Sequence, residues 1–157
     1  EIMPSLVGSE MCIRDSFVHA GLSARLLERN LEMDTLNARM SEGLYRTSKE
    51  RREDPTLEFL YRSAGPVWYR GMVCTDEKYD PLTPEQTDAL LRRYDADRLL
   101  IGHTIFPDIS TFHDGRVIAV NVQNERNRRK NRGRAVLIEG SRISVVGNRG
   151  VKRVLEE

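Results

Sequence analysis

Two histidines of this chain stand in similar surroundings, each close behind an apolar segment that predicts a buried strand. His19 follows Phe17-Val18, and His103 follows Leu-Leu-Ile-Gly at 99–102. Because the ends of neighbouring strands in a buried sheet meet at one edge, we expect the two imidazoles to share that edge. A neutral imidazole nitrogen is a common ligand of divalent metal ions. His19 and His103 are therefore candidate metal ligands, although a histidine at a strand end more often has a hydrogen-bonded structural role.

Arg70 is the second candidate for chemistry. It ends the aromatic run Gly-Pro-Val-Trp-Tyr-Arg at 65–70, in a chain that has one tryptophan. A guanidinium held by neighbouring rings is a rigid, bidentate receptor for oxyanions and suits phosphate. The alternative is that Trp68 and Tyr69 are core residues and Arg70 points into water.

A basic segment and a third histidine complete the set of candidates. The basic residues within 126–134 could attract phosphate backbones or an acidic substrate, but no aromatic residue is interleaved for base stacking. A solvated loop is the favoured interpretation. His113, beside the Asp114-Gly115 turn, is expected to be a solvated hairpin residue. The basic residues are Arg126, Arg128, Arg129, Lys130, Arg132 and Arg134.

The composition limits the classes of protein that the chain can belong to. It has 157 residues with 25 Lys+Arg, 24 Asp+Glu and two cysteines, so its net charge is +1. This length suits one domain or a piece of a larger one. Two cysteines cannot form a disulfide framework or a cysteine-only zinc site. No apolar run approaches the roughly 18–20 residues of a membrane span.

Residues 1–16 are predicted not to be native protein. Met-Cys-Ile-Arg-Asp-Ser at 11–16 back-translates to a transposon end used in sequencing libraries, and the match continues in frame through the residues before it. Such segments are excluded from fold reasoning. Without them, residues 17–157 carry a net charge of +3 and the single cysteine Cys74. One cysteine suits the cytoplasm, and the periplasm stays open because the native N-terminus is expected to be missing.

The segment between the histidines is predicted to be mostly helical. Apolar residues recur at three- and four-residue spacing over 24–46, with a break near Asn30, and Pro55 suits a helix start. Residues 48–54 are expected to be a charged surface stretch, and residues 67–73 an extended one. Thr83-Pro84 has the residue types of a capped helix start, and this helix is predicted to end near residue 94.

The chain after the helical segment is predicted to be mainly strands. Residues 98–102 form a buried strand, two hairpins cover 109–122 and 134–146, and residues 123–133 form a polar loop. The order is thus strand, helical insert, strand and hairpins, which is typical of an α/β or α+β fold.

Three short motifs in this order resemble the C-terminal half of a calcineurin-like metallophosphoesterase. They are His-Ala-Gly-Leu-Ser at 19–23, Gly-Pro-Val-Trp-Tyr-Arg-Gly at 65–71 and Gly-His-Thr at 102–104. The resemblance runs from residue 17 to about residue 146. It is strongest to the bacterial branch near the Shewanella-like and Ser/Thr phosphoprotein phosphatases.

The resemblance implies a fold and a site. Residues 17–157 would be the C-terminal part of a four-layer αββα sandwich with two divalent ions (Mn, Fe or Zn) at the sheet edges. His19 and His103 would bind the same ion, and Arg70 would bind the substrate phosphate. A hydroxide activated by both ions would attack phosphorus directly. The partner would be a phosphoprotein or a small phosphoester, with no membrane, and nucleic acid is disfavoured.

The family's other motifs, Asp-x-His, Gly-Asp-x-x-Asp and Gly-Asn-His, do not occur in this sequence. They carry the bridging carboxylate and the catalytic histidine, so no catalytic residue is expected in this chain. We therefore expect a hydrolase fragment that binds metal poorly, turns over no substrate and aggregates through exposed sheet edges. Two alternatives stay open: a dinucleoside polyphosphate hydrolase, and a nucleic-acid-binding module that uses the basic loop 126–134.

Overall fold

The apolar segments before the two histidines form adjacent parallel strands. The computed structural model describes residues 14–130 and 132–156 of the chain. Strand β1 (Asp15–Val18) pairs in parallel with β2 (Arg98–Ile101), so that Val18 lies opposite Ile101. Both strands therefore end at the same edge, as the sequence predicts.

The first predicted hairpin completes this sheet. Its strands are β3 (Ser110–Phe112) and β4 (Val117–Ala119), which pair antiparallel. Since β4 also runs parallel to β2, the four strands have the order β1-β2-β4-β3.

The second predicted hairpin belongs to a separate three-stranded sheet. It consists of β5 (Arg134–Glu139) and β6 (Arg142–Gly147). A third strand, β7 (Gly150–Glu156), pairs antiparallel with β6 and was not predicted. Gly150 makes the intervening turn possible, because its φ of +97° lies in the region that favours glycine.

Five helices and a short 3₁₀ turn connect β1 to β2. The predicted break is confirmed at Asn30, whose left-handed φ of 49° ends the first helix. Within the described residues, no helix is long and apolar enough to cross a membrane. The helices are α1 (Arg25–Arg29), α2 (Met33–Leu44), α3 (Ser48–Glu53), α4 (Pro55–Leu60) and α5 (Pro84–Arg93), and the 3₁₀ turn is Glu77–Tyr79.

Two helices form where the sequence pattern predicts none. The charged stretch 48–54 contains α3, which a capping box between Thr47 and Glu50 starts. The expected polar loop 123–133 contains α6 (Asn124–Arg129), in which Glu125 pairs with Arg129 at 3.0 Å. Neither helix has a buried residue, so neither shows the apolar periodicity from which a helix is predicted.

The central sheet separates two apolar clusters. Leu99 and Ile101 of β2 pack with the helices, whereas Leu100 between them packs with Ile143 and Val145 of β6. Successive side chains of a strand point to opposite faces, and this strand is buried on both. The described residues thus form three layers: helices, the four-stranded sheet and the three-stranded sheet. The fold is α+β, in agreement with the sequence analysis.

Strand β1 begins at Asp15, inside the segment 1–16 that is predicted not to be native. Residues 1–13 of that segment lie outside the described residues. Arg98 Nε donates to Asp15 Oδ1 at 2.7 Å. Strand pairing uses backbone groups, which every residue other than proline can supply, so the pairing carries no information on the origin of Asp15 and Ser16.

Candidate functional site

The shared edge of β1 and β2 brings the two candidate histidines together. The backbone N–H of Gly102 donates to the carbonyl of His19 at 3.0 Å, which extends the strand pairing to the histidines. His19 Nε2 lies 3.1 Å from His103 Nδ1, and the ring centroids are 5.0 Å apart. The expected proximity is confirmed.

Arg70 completes the cluster from a different segment of the chain. Its Nη2 lies 3.2 Å from His103 Nε2. An arginine has no acceptor, so Arg70 donates and His103 Nε2 accepts. Neutral His103 then carries its proton on Nδ1 and donates it to His19 Nε2. We refer to His19, Arg70 and His103 as the His-Arg cluster.

His103 has an unusual backbone conformation, and its surroundings disfavour a positive charge on the ring. Its φ of +57° is uncommon for a residue other than glycine. Burial lowers the pKa of His103 below its usual value, and the nearby Arg70 and His19 lower it further. His103 is therefore neutral at pH 7, which is the form that accepts a hydrogen bond or binds a metal ion.

The segment that carries Arg70 is a series of turns, so the prediction of an extended stretch at 67–73 is wrong. The N–H of Trp68 donates to the carbonyl of Gly65 at 3.1 Å, and that of Cys74 to the carbonyl of Arg70 at 3.0 Å. Aromatic residues favour strands, but no neighbouring strand pairs with this segment among the described residues, and Gly65-Pro66 begins a turn.

Contacts with two other parts of the chain fix these turns. The N–H of Ala20 donates to the carbonyl of Pro66 at 2.9 Å, directly beside His19. The N–H of Leu82 donates to the carbonyl of Gly71 at 3.0 Å. A Cβ on Gly71 would lie 2.2 Å from the hydroxyl oxygen of Tyr69, so this close approach needs glycine. Arg70 thus extends from a backbone that is tied to the same edge as His19.

The two aromatic residues before Arg70 have different roles. Tyr69 is buried, its hydroxyl donates to the carbonyl of Asp80, and burial raises its pKa. Trp68 is 53% exposed, and its ring packs edge-on to His103 with 5.2 Å between centroids. Tyr69 is a core residue, as one of the two alternatives supposes, but Arg70 is directed to His103.

His113 has a role that the sequence analysis missed. Its Nε2 donates to the carbonyl of Met72 at 2.9 Å, and its Nδ1 lies 3.1 Å from the hydroxyl of Thr87, which is fully buried. The expectation of a solvated residue is wrong, because this half-buried ring connects α5 to the turns that carry Arg70. Its partners are 26 and 41 residues away, so no local pattern could indicate them.

The His-Arg cluster can supply part of a metal site. Two nitrogen ligands that each lie about 2.0–2.1 Å from one ion are about 3 Å apart when they subtend nearly a right angle. The 3.1 Å between His19 and His103 fits this spacing. Among the described residues, no group of three or more His, Cys, Asp or Glu side chains could hold a metal ion. Within the described residues, the two histidines could therefore supply two ligands of an ion but not a complete metal site.

The basic segment lies on α6 and at the start of β5. Arg134 pairs with Asp108 at 3.1 Å, and Arg129 pairs with Glu125 within the helix. These pairs neutralise two of the six cations, which reduces the charge that a phosphate backbone would meet.

Comparison with known proteins places the fold among phosphatases. No family model matches the chain, and no curated protein matches it. Three solved structures of a cold-active protein tyrosine phosphatase, one of them described as from a psychrophilic Shewanella species and one a point mutant, match with TM-scores of 0.74–0.75 at 25% identity. The matches cover 88% of this chain but only 38–40% of the solved chains. The chain therefore has a phosphatase-like fold and spans about two fifths of these structural neighbours.

Proposed function

We propose that this chain is the substrate-binding, C-terminal part of a metal-dependent phosphomonoesterase that acts on phosphorylated protein. The observation that carries the proposal is the His-Arg cluster. Its three residues come from separate segments, and successive members lie 3.1 and 3.2 Å apart at one sheet edge. An arginine beside two imidazoles is suited to a phosphoryl group, because the guanidinium supplies positive charge and the imidazoles supply nitrogen ligands at one place.

Each member of the cluster has a distinct role in this proposal. Arg70 binds and orients the phosphoryl oxygens, and its anchored turns hold it in place before substrate arrives. His19 and His103 hold one of two divalent ions (Mn, Fe or Zn). Such ions, when bound, lower the pKa of water and neutralise charge on the phosphoryl oxygens. A metal ion would bind the unprotonated nitrogens of His19 and His103, so protons would compete with it and metal affinity would fall at low pH.

We further propose that the parent protein is a four-layer αββα metallophosphoesterase of the calcineurin-like type. The three layers described here would form part of that sandwich. In support, the chain spans only about two fifths of its structural neighbours, so a parent would have room for the rest of the sandwich. The neighbours' description as protein tyrosine phosphatases favours a protein substrate over a dinucleoside polyphosphate.

Activity of this chain and of its parent tests the proposal. The purified chain with roughly 1–10 equivalents of Mn²⁺ is expected to show no hydrolysis of p-nitrophenyl phosphate. Two imidazoles do not complete a two-metal site. The parent is expected to hydrolyse it. In the parent, His103→Ala should remove bound metal and turnover while circular dichroism stays unchanged.

The surface change Tyr45→Ala, at a residue that is 91% exposed, is the matched control and should leave metal content and turnover intact. Metal-dependent turnover by the chain alone would overturn the idea of a partial site. Full metal content in the His103→Ala parent would overturn the ligand assignment.

A further inference from the structure

A large cavity borders the His-Arg cluster on the side of Arg70. Its volume is about 840 Å³, and its wall includes Trp68 and Arg70 together with residues of α1, of the 3₁₀ turn and of the segment that follows α4. A volume of this size accommodates a ligand far larger than a phosphoryl group. We propose that this cavity binds acidic residues that flank the phosphorylated residue of a peptide substrate, an inference that rests on the proposed function.

Positive charge is concentrated in the cavity. Among the described residues that line it, four are cations, namely Arg25, Arg62, Arg70 and Lys78, and Asp80 is the only carboxylate. The lining itself thus has three more cations than carboxylates, and the neighbouring carboxylates of Glu58 and Asp76 balance this excess in part. A cleft lined by one sign of charge attracts ligands of the opposite sign.

The cations that surround Arg70 are available to a ligand. Arg62 pairs with Glu58 at 3.1 Å and Lys78 with Asp76 at 2.7 Å, and both basic side chains are about 60% exposed. Exposed pairs of this kind stabilise a protein only weakly, so a carboxylate of a ligand can replace the internal partner at little cost. Arg25 lies 4.0 Å from Asp80, at the outer limit of an ion pair.

Aromatic rings line the cavity between the cations. Tyr79 lies beneath the guanidinium of Arg70 at 5.9 Å, and the ammonium of Lys78 lies 4.8 Å from the same ring. Trp68 adds an exposed ring at the border with the His-Arg cluster. Rings with one exposed face bind aromatic and aliphatic parts of a peptide, while the cations bind its carboxylates. This combination favours an acidic phosphopeptide over an isolated phosphate.

Trp68 makes a direct binding experiment possible, because it is the single tryptophan of the chain and lies in the cavity wall. The full 157-residue chain would be titrated with a phosphotyrosine peptide flanked by glutamates and with the same peptide flanked by glutamines. Tryptophan fluorescence reports binding. The glutamate peptide is expected to bind about five- to tenfold more tightly, and this advantage should shrink at high salt.

Substitutions of single charges test whether the cavity causes the tighter binding of the glutamate peptide. Lys78→Gln and Arg62→Gln should each reduce the advantage of the glutamate peptide to about twofold or less. The matched control is Lys49→Gln, which removes one exposed charge from α3, outside the cavity lining. It should keep the full advantage. Circular dichroism verifies that each variant folds. Because Arg62 and Lys78 are exposed, neither substitution is expected to disturb folding.

The outcomes separate this inference from the proposed function. If neither phosphopeptide binds, both are wrong. If the two peptides bind equally, or if Lys78→Gln and Lys49→Gln behave alike, the proposed function stands and the acidic-residue site is wrong. Tighter binding of diadenosine tetraphosphate than of the glutamate peptide would also overturn it.

Discussion

His103 lies at the centre of the candidate site. It contacts His19 on one side, Arg70 on the other and the ring of Trp68 edge-on. A charged imidazole in that position would face a guanidinium, and this repulsion adds to the burial that lowers its pKa. The left-handed backbone of His103 is therefore used to place a neutral ring between a cation and a second imidazole.

His113 shows a different use of an imidazole, as a connection between elements. Its two ring nitrogens face groups of opposite hydrogen-bonding character: the carbonyl of Met72 accepts, and the hydroxyl of Thr87 can donate. Met72 in turn contacts the segment after His19, since the N–H of Leu22 lies 3.3 Å from its sulfur. His113 thus supports the backbone segments of His19 and Arg70 without belonging to the His-Arg cluster.

Replacing His113 is expected to loosen this support. His113→Ala should lower the free energy of unfolding by about 1–3 kcal/mol, because the buried carbonyl of Met72 loses its donor. The hydroxyl of Thr87 keeps an alternative acceptor in the carbonyl of Thr83 at 3.1 Å. Urea unfolding measures the change.

His113→Gln is the matched variant for this prediction. A glutamine amide can still donate toward the carbonyl of Met72, so this variant should restore at least part of the stability. Equal stability of the alanine variant and the unchanged chain would contradict the connecting role.

Helices α3 and α5 begin with the same capping motif but differ in how far they are buried. Both start with a capping box: Thr47 with Glu50 on α3, and Thr83 with Gln86 on α5. Only α5 then buries residues, including Leu90, which is fully buried. The same local signal therefore starts one helix that packs on the sheet and one that lies at the surface.

Removing the two caps should therefore change the free energy of unfolding by different amounts. Thr83→Ala should lower the free energy of unfolding by about 1 kcal/mol, because it removes a cap from a helix that is part of the cooperative core. Thr47→Ala removes the same bonds from a helix that frays locally, so it should change global unfolding much less. Parallel urea titrations of the two variants test this. Equal losses would show that α3 unfolds together with the core.

At the scale of the whole molecule, the sheet edge at β1 is exposed. β1 pairs only with β2 among the described strands, and Phe17 on it is 71% exposed. An apolar cavity of about 200 Å³, lined in part by Met33 and Met40, lies beside it. Such an edge next to an apolar surface is a site at which chains self-associate.

We expect Phe17→Lys to reduce concentration-dependent self-association of the chain, because a charge on the edge opposes pairing with a second strand. Sedimentation velocity over a range of concentrations measures the effect. Tyr45→Lys, at a more exposed ring outside the sheets, is the control and should leave self-association unchanged. A monomeric unchanged chain, or equal effects of the two variants, would rule out β1 as the contact.

The sequence by itself determined the features that depend on neighbouring residues. Sequence signals of a few residues encode the cap at Thr83, the proline at 55, the first hairpin and the two strands that precede the histidines. The type of fold and the meeting of His19 with His103 followed, because parallel strands share an edge. Helices α3 and α6 were missed for the converse reason, since they bury nothing and leave no periodic pattern.

Only the tertiary structure decided how Arg70 and His113 are used. Arg70 reaches His103 across 33 positions, and His113 reaches Met72 across 41. Such contacts exist only after α5, the turns at 65–74 and the sheet have packed together, and their geometry depends on the close approach that Gly71 allows. Local preferences act over a few residues, whereas the relative positions of distant segments are set by the packing of the whole core, which no short stretch of sequence contains.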